Sequence, residues 1–272
     1  MREKYPISVI IPCYCCSETL EFAVNSVWNQ SALPKEVILI DDASDDENKT
    51  KNEMNRIKEL YPKNWIKCIF LENNSGPGNA RNVGWSHATE EYIAFLDSDD
   101  SWHNKKIEIQ YNIMKSKNID ITFHRSKELN DRNHSDKYSK LSDVSVKEIY
   151  FKNLLISNCI STRSVMLKKS LKNRFDSNKY YAEDYLLWLE IIKENNFGLM
   201  IELYLAFSYK NIYDKSGLSG NLIKMEKGEL DTYKRIYKYN YINTWQYSIL
   251  KLWSILKFLV RVLKSKFAKY EN

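Results

Sequence analysis

Apolar runs and amphipathic stretches alternate along the first 115 residues. Ile7, Val9, Ile10 and Ile11 form a β-branched run that Pro12 closes, and residues 17–30 then place Leu20, Ala23, Val24 and Val27 at helical spacing. A second run, Val37 to Ile40, is followed by a charged helical stretch over 47–60; a third strand over 66–71 leads into the turn Asn73-Asn74-Ser75-Gly76-Pro77-Gly78 and a short helix over 79–88. Tyr92 to Leu96 reads as a fourth strand, with helical spacing again over 105–115. Strands alternating with helices imply a mostly parallel sheet covered on both faces, an α/β fold. Beyond 115 the pattern loosens. Residues 119–123 and 203–209 read as strands, 125–142 as a polar loop, and 244–270 as an amphipathic helix.

Carboxylates cluster where the strands stop. The fourth strand ends at Asp97-Ser98-Asp99-Asp100, and the second at Asp41-Asp42-Ala43-Ser44-Asp45-Asp46. In open parallel sheets ligands bind beyond the carboxyl ends of the strands, so both clusters fall on the binding edge. Acids this close repel unless a hard cation neutralises them, and a divalent ion with oxygen ligands leaves positions open for phosphate. The competing reading of Asp97 to Asp100 is an acidic helix cap, which leaves the coincidence of two clusters unexplained. A further pair, Glu183-Asp184, opens a helical stretch in which Leu187 with Ile191 and Trp188 with Ile192 form an apolar stripe; the helix dipole there favours an ionised carboxylate.

Charge is unevenly spread. The formal net charge is +6, and residues 243–272 hold Lys251, Lys257, Arg261, Lys264, Lys266 and Lys269 against the single acid Glu271. That leaves the remainder nearly neutral, which argues against a nucleic-acid binder and for a basic tail that meets an anionic membrane. Cys13, Cys15, Cys16, Cys68 and Cys159 form no even framework and no zinc spacing, so they read as reduced thiols. The first residues enter a strand without an apolar leader, and no stretch reaches the ~20 uncharged residues of a spanning helix, which predicts a cytoplasmic chain held peripherally.

The order and spacing of Ile11-Pro12-Cys13-Tyr14, Gln30, Asp41-Asp42-Ala43-Ser44-Asp45, Gly76, Arg81-Asn82-Val83-Gly84 and Phe95-Leu96-Asp97-Ser98-Asp99-Asp100 resemble the signatures of family 2 glycosyltransferases. The resemblance implies a GT-A fold, a Rossmann-like sheet here carrying a C-terminal amphipathic helical extension. It implies that Pro12, Tyr14, Asp42, Ser44, Arg81, Asp97 and Ser98 bind a UDP-sugar donor, with Asp42 accepting from uracil and Arg81 facing the diphosphate. Asp99, with Asp97, would ligate Mn2+ or Mg2+. Glu183-Asp184 matches the pair whose Asp acts as the base, with Glu183 orienting it or touching the acceptor. Cys15 departs from the usual Asn, and Glu90-Glu91 from the usual Gly-Glu. The segment 156–166 resembles the Thr/Ser-rich run beside the acceptor pocket, and 213–219 a Ser-Leu-Ser loop in which Gly217 replaces the first Ser.

The expected organisation is a nucleotide-sugar half over 1–115, an acceptor half over 116–220 and a basic, membrane-associating helical extension over 221–272. The function expected is that of a metal-dependent inverting transferase acting at the inner face of the bacterial plasma membrane. It would build a β-glycoside on a polyprenyl-diphosphate-linked saccharide for O-antigen or capsule. A sugar nucleotidyltransferase would want a Gly/Arg/Lys-rich phosphate loop in place of Cys13 to Ser17. A non-catalytic nucleotide-sugar-binding scaffold is opposed by intact acids at both sites.

Overall fold

The computed structural model describes residues 2–129, 144–209 and 221–267. Four strands build its parallel half: β1 (Lys4–Cys13), β2 (Leu33–Asp41), β3 (Ile66–Phe70) and β4 (Tyr92–Phe95). In β1, Ile7, Val9, Ile10 and Ile11 are all fully buried, as are Val37 to Ile40 in β2. Residues on both faces of a strand are buried because helices cover both sides, which is why these runs are continuously apolar rather than alternating. β1 lies between β2 and β4, with Val9 opposite both Val37 and Ala94, and β2 carries β3 on its other edge.

One face is covered by α1 (Leu20–Trp28), α2 (Lys49–Leu60) and α4 (Lys106–Lys117); Leu20, Val24, Met54, Ile57, Ile107 and Met114 pack there against Val9 and Leu39. The other is covered by α3 (Pro77–His87) and α6 (Glu183–Asn195), whose Trp85 and Trp188 join Ile10, Ile40 and Phe95. α3 approaches closely because Gly84 has no side chain; a Cβ there would stand 2.6 Å from Ile10. Gln30 fixes the start of α4, donating to the His103 carbonyl at 2.8 Å and accepting from the Ile107 N–H at 3.0 Å.

The second half of the sheet is mixed. β8 (Met166–Lys168) runs antiparallel to both β4 and β6 (Ile121–Glu128), and β6 runs parallel to β9 (Phe197–Ser208). β5 (Ser101–Trp102) and β7 (Val146–Tyr150) both pair antiparallel with β9. Two expectations change here. Arg125 to Glu128 continue β6 instead of opening a loop, because their backbone pairs with Tyr204 to Ser208 although their side chains are polar. The last strand begins at Phe197 rather than at 203. Residues 130–142 of the expected loop and the expected 213–219 loop lie outside the described residues.

After α5 (Phe151–Ile156) and the long α7 (Leu222–Lys238), the chain ends in α8 (Thr244–Phe267). α8 packs back on α7: Ser254 donates to Glu226 at 2.8 Å, Lys257 pairs with Glu229 at 2.5 Å and Arg261 with Glu226 at 2.9 Å. Two of the cations expected to face a membrane are therefore held by α7 acids. The opposite face, Trp245, Ile249, Leu252, Leu256, Leu259 and Leu263, is exposed. No helix among the described residues is long and apolar enough to cross a membrane.

Candidate active site

β1, β2 and β4 deliver Pro12-Cys13-Tyr14, Asp42 and Asp97-Ser98-Asp99 to one edge of the sheet, where the strand order turns back on itself around β1. These residues line a cleft of about 800 Å³ whose far side is built by Asn158 to Arg163 and by Tyr180 to Asp184 at the start of α6. Ligand clefts commonly run ~300–1,000 Å³, so a nucleotide sugar fits the volume. The acids near 99 and those at 183–184 thus share a single cavity.

Arg81 joins them. It projects from α3 and is 6% exposed; its Nη2 meets Asp97 at 2.7 Å and its Nη1 meets Glu183 at 3.3 Å. The guanidinium lies 5.5 Å over the Phe175 ring. Charge-assisted pairing to two carboxylates holds the donor side and the α6 side at a fixed separation. Arg81 lines the cleft, but as a bridge between acids rather than as an open cation.

The turn after β4 separates its acids. The Asp100 N–H donates to the Asp97 carbonyl, and Asp100 itself points inward, 1% exposed, onto Arg163. Burial drives Asp100 towards its neutral acid, and the adjoining Arg163 guanidinium opposes it. Asp99 stays exposed on the cleft. As a cradle for a divalent ion the turn offers Asp99 and Asp97, one oxygen of which is taken by Arg81. No cluster of three or more His, Cys, Asp or Glu suited to a metal occurs among the described residues. That donor set fits an ion such as Mg2+, held by one or two carboxylates and completed by substrate phosphates, better than an all-protein cage.

Asp42 is fixed by its neighbours: its two oxygens accept the N–H groups of Ser75 at 3.0 Å and Gly76 at 2.8 Å. Burial raises its pKa while these donors hold it down. Ser44 is absent from the cleft lining. Its hydroxyl donates to Asp41 at 2.5 Å and accepts from the Cys15 N–H at 2.9 Å, so it ties two loops together instead of facing a ligand.

Ala182, in a left-handed conformation, turns the chain into α6 and sets both acids in the first turn. Asp184 accepts from its neighbour's N–H, Tyr185, at 2.7 Å and from Thr162 Oγ1 at 3.3 Å. Its pKa is raised by burial, against the pull of Arg81 and these donors. Glu183, 8% exposed, is pushed up to about 7, first by burial and then by Asp184 alongside. A first-turn carboxylate near a hydroxyl-lined wall is placed to accept a proton from a bound alcohol.

Sequence reasoning missed Arg163, the partner of Asp100, and Tyr180. Thr162 and Arg163 lie in the run 156–166, which the family resemblance set beside the acceptor pocket without singling out either residue. Beneath the turn lies a buried polar group that was also unforeseen. Lys106 Nζ, His103 Nε2, His124 Nε2, Thr122 Oγ1 and Gln110 Oε1 have no hydrogen-bond partner among the described residues. His124 is held down to about 3 by burial, with Lys106 adding to the effect.

Comparison with known proteins places these features in context. Residues 8–175 match Glycosyl transferase family 2. The chain is 31% identical over 231 residues to the Escherichia coli UDP-Glc:alpha-D-GlcNAc-diphosphoundecaprenol beta-1,3-glucosyltransferase WfgD, covering 84% of this chain and 85% of that one. Its fold is similar to residues 1–349 of Staphylococcus aureus TarS in complex with UDP-GlcNAc, at a TM-score of 0.65, 22% identity, and coverage of 87% and 66%. It is also similar to the mannosyltransferase PcManGT of Pyrobaculum calidifontis with GDP-Man and Mn2+, at a TM-score of 0.63, 14% identity, and coverage of 86% and 64%.

Proposed function

The chain belongs to glycosyl transferase family 2, and from that membership we propose that it moves a hexose or N-acetylhexosamine from a UDP-sugar to a sugar hydroxyl on a polyprenyl-diphosphate-linked acceptor. The product would be a β-glycoside in a bacterial surface polysaccharide. The observation that carries this reading is the single cleft in which Arg81 ties the strand-end acid Asp97 to the helix-start acid Glu183, next to Asp184. Sugar transfer has two barriers, a weak hydroxyl nucleophile and a diphosphate leaving group that gathers negative charge. Two separate carboxylate groups answer them.

On this reading Pro12, Tyr14 and Asp42 hold the nucleoside, and Arg81, Asp97 and Ser98 order the diphosphate side. Asp99, with Asp97, would hold Mn2+ or Mg2+, which would supply Lewis-acid stabilisation of the departing phosphate when bound. Asp184 takes the proton of the acceptor hydroxyl as its oxygen forms a bond to the anomeric carbon and the bond from that carbon to the diphosphate oxygen breaks. Attack from the face opposite the leaving group inverts the centre, so an α-linked donor gives a β-glycoside. Glu183, on Arg81, orients the pair.

WfgD's name specifies UDP-glucose and a GlcNAc-diphosphoundecaprenol acceptor, which makes these the first substrates to try. The test is metal-dependent transfer of labelled sugar from a panel of UDP-sugars to a synthetic GlcNAc-α-diphospho-lipid, with NMR of the product anomer. A β-linked product supports the proposal; an α-linked product, or no transfer alongside unaltered Tm with every UDP-sugar, overturns it.

The 1–115 part would then serve the donor, 116–220 the acceptor, and 221–272 the inner membrane surface. Because Lys257 and Arg261 are engaged by α7, attachment rests on the apolar face from Trp245 to Leu263 more than on cations. Truncation before Thr244 is expected to abolish co-sedimentation with anionic vesicles; unchanged partitioning would remove the anchor.

A further inference from the structure

Tyr180 stands in the segment that enters α6, 44% exposed, and lines the cleft. Its ring rests against Gly76, where a Cβ would come within 2.7 Å of the ring's Cε2. Gly76 has φ of 86°, a left-handed value open to glycine, and donates its N–H to Asp42 at 2.8 Å. One residue thus does two things: its peptide is pinned by the Asp42 carboxylate, and its missing side chain admits the phenol ring beside that carboxylate. Tyr14, at the carboxyl end of β1, is 51% exposed and lines the same cleft. Asp42 and Tyr14 are close enough to Tyr180 to add to the rise in its hydroxyl pKa, which burial leads.

Two half-exposed aromatic rings beside an acceptor carboxylate and Pro12 make a slot for a flat ring that carries an N–H donor. A pyrimidine with an imide N–H has that chemistry, and its π-face stacks on aromatic side chains. We propose that Tyr180 supplies the second aromatic wall of the nucleobase slot, so that the segment leading to Glu183-Asp184 itself contacts the donor's uracil. This rests on the reading of the cleft as a UDP-sugar site. A contact to the base is the same in ground and transition states, and removing it raises KM without lowering kcat.

The test compares Tyr180→Ala, Tyr180→Phe and Asp42→Asn in the full chain, by calorimetry with UDP and with inorganic pyrophosphate, and by donor kinetics. Tyr180→Ala is expected to weaken UDP about tenfold and raise donor KM by a similar factor at constant kcat. Tyr180→Phe should stay near the parent, and pyrophosphate binding should be unmoved by either. If Tyr180→Ala leaves UDP affinity intact while Asp42→Asn weakens it, the wall is wrongly assigned, and a raised acceptor KM would give the ring to the acceptor. If neither Tyr180→Ala nor Asp42→Asn alters UDP binding, the reading of the cleft as a uridine site falls with it.

Discussion

The two acidic ends of the cleft differ in how many counter-ions each has. In the turn after β4, Asp97 meets Arg81 and Asp100 meets Arg163. At the start of α6, Glu183 and Asp184 share Arg81 with Asp97, and Glu183 is pushed up to about 7 by burial and by Asp184. At the turn the Arg163 guanidinium opposes the rise that burial imposes on Asp100, whereas at the start of α6 burial and crowding push Glu183 up to about 7, where a proton is exchanged near neutral pH. On the proposed mechanism the crowded end is the one that supplies the proton acceptor.

The largest effect expected falls on the turn. Asp100→Ala strands the Arg163 guanidinium and should cost about 3–5 kcal/mol of unfolding free energy, as removal of one partner from a buried pair does. Asp99→Ala, one residue away and exposed, should change stability by about 0.5 kcal/mol or less while removing metal-dependent donor binding. Chemical denaturation of both variants checks this. Equal losses would erase the division between inward and outward acids. Next in size, Asp184→Asn should keep UDP affinity and lose at least roughly a hundredfold in kcat; transfer near the parent rate would move the base elsewhere.

How much of this was legible varies with what each residue depends on. β1, β2 and β4 were readable because burial on both faces demands unbroken apolar runs, and the acids were readable because those runs stop at them. The helix carrying Glu183 and Asp184 was readable from its apolar stripe. The pairings were not. Arg81 is separated from Glu183 by 102 positions and Arg163 from Asp100 by 63, and no local pattern encodes which arginine folds onto which acid. β6 was cut short because Arg125 to Glu128 are polar, although their ladder with β9 is a backbone property. The ion pairs of α8 were hidden for the same reason: Glu226 and Glu229, which hold Lys257 and Arg261, lie on a different helix.

A smaller effect tests the crowded end through pH. The Glu183 pKa in the fold, about 7, exceeds its ordinary value of 4.5, so the folded state holds the proton more tightly than the unfolded one. Below pH 4.5 both states are protonated; from 4.5 to about 7 ionisation favours unfolding, and above 7 the difference is constant. Glu183→Gln should therefore match the parent in acid and become more stable than it by on the order of 1–3 kcal/mol near pH 7 and above. The acid limb of its pH–rate profile should also move to lower pH, because a negative neighbour of Asp184 is gone. A Glu183→Gln protein less stable than the parent at pH 8 would mean that the Arg81 pairing outweighs the crowding, and the contrast between the two ends would collapse.

Lys106 extends the comparison to a group with no ion pair among the described residues. It is fully buried, its Nζ has no hydrogen-bond partner among the described residues, and it lies 3.7 Å over the Trp102 ring. Burial lowers its pKa well below 10.5. If counter-ions decide protonation here, the amine folds neutral, and the protein must release a proton that the unfolded chain keeps. The parent then gains stability as pH rises towards 10.5, and Lys106→Met, of similar length and without the amine, should lose that slope and be more stable by about 1 kcal/mol at pH 7. The opposing force is the face of Trp102, which attracts a desolvated ammonium by ~2 kcal/mol or more. Denaturation of parent and variant at pH 6 and pH 9 separates the two. A Lys106→Met protein that is less stable at both, with the same pH slope as the parent, would show an ammonium held by the indole, and charge at this site would then be set by ring contacts as much as by the count of opposite charges.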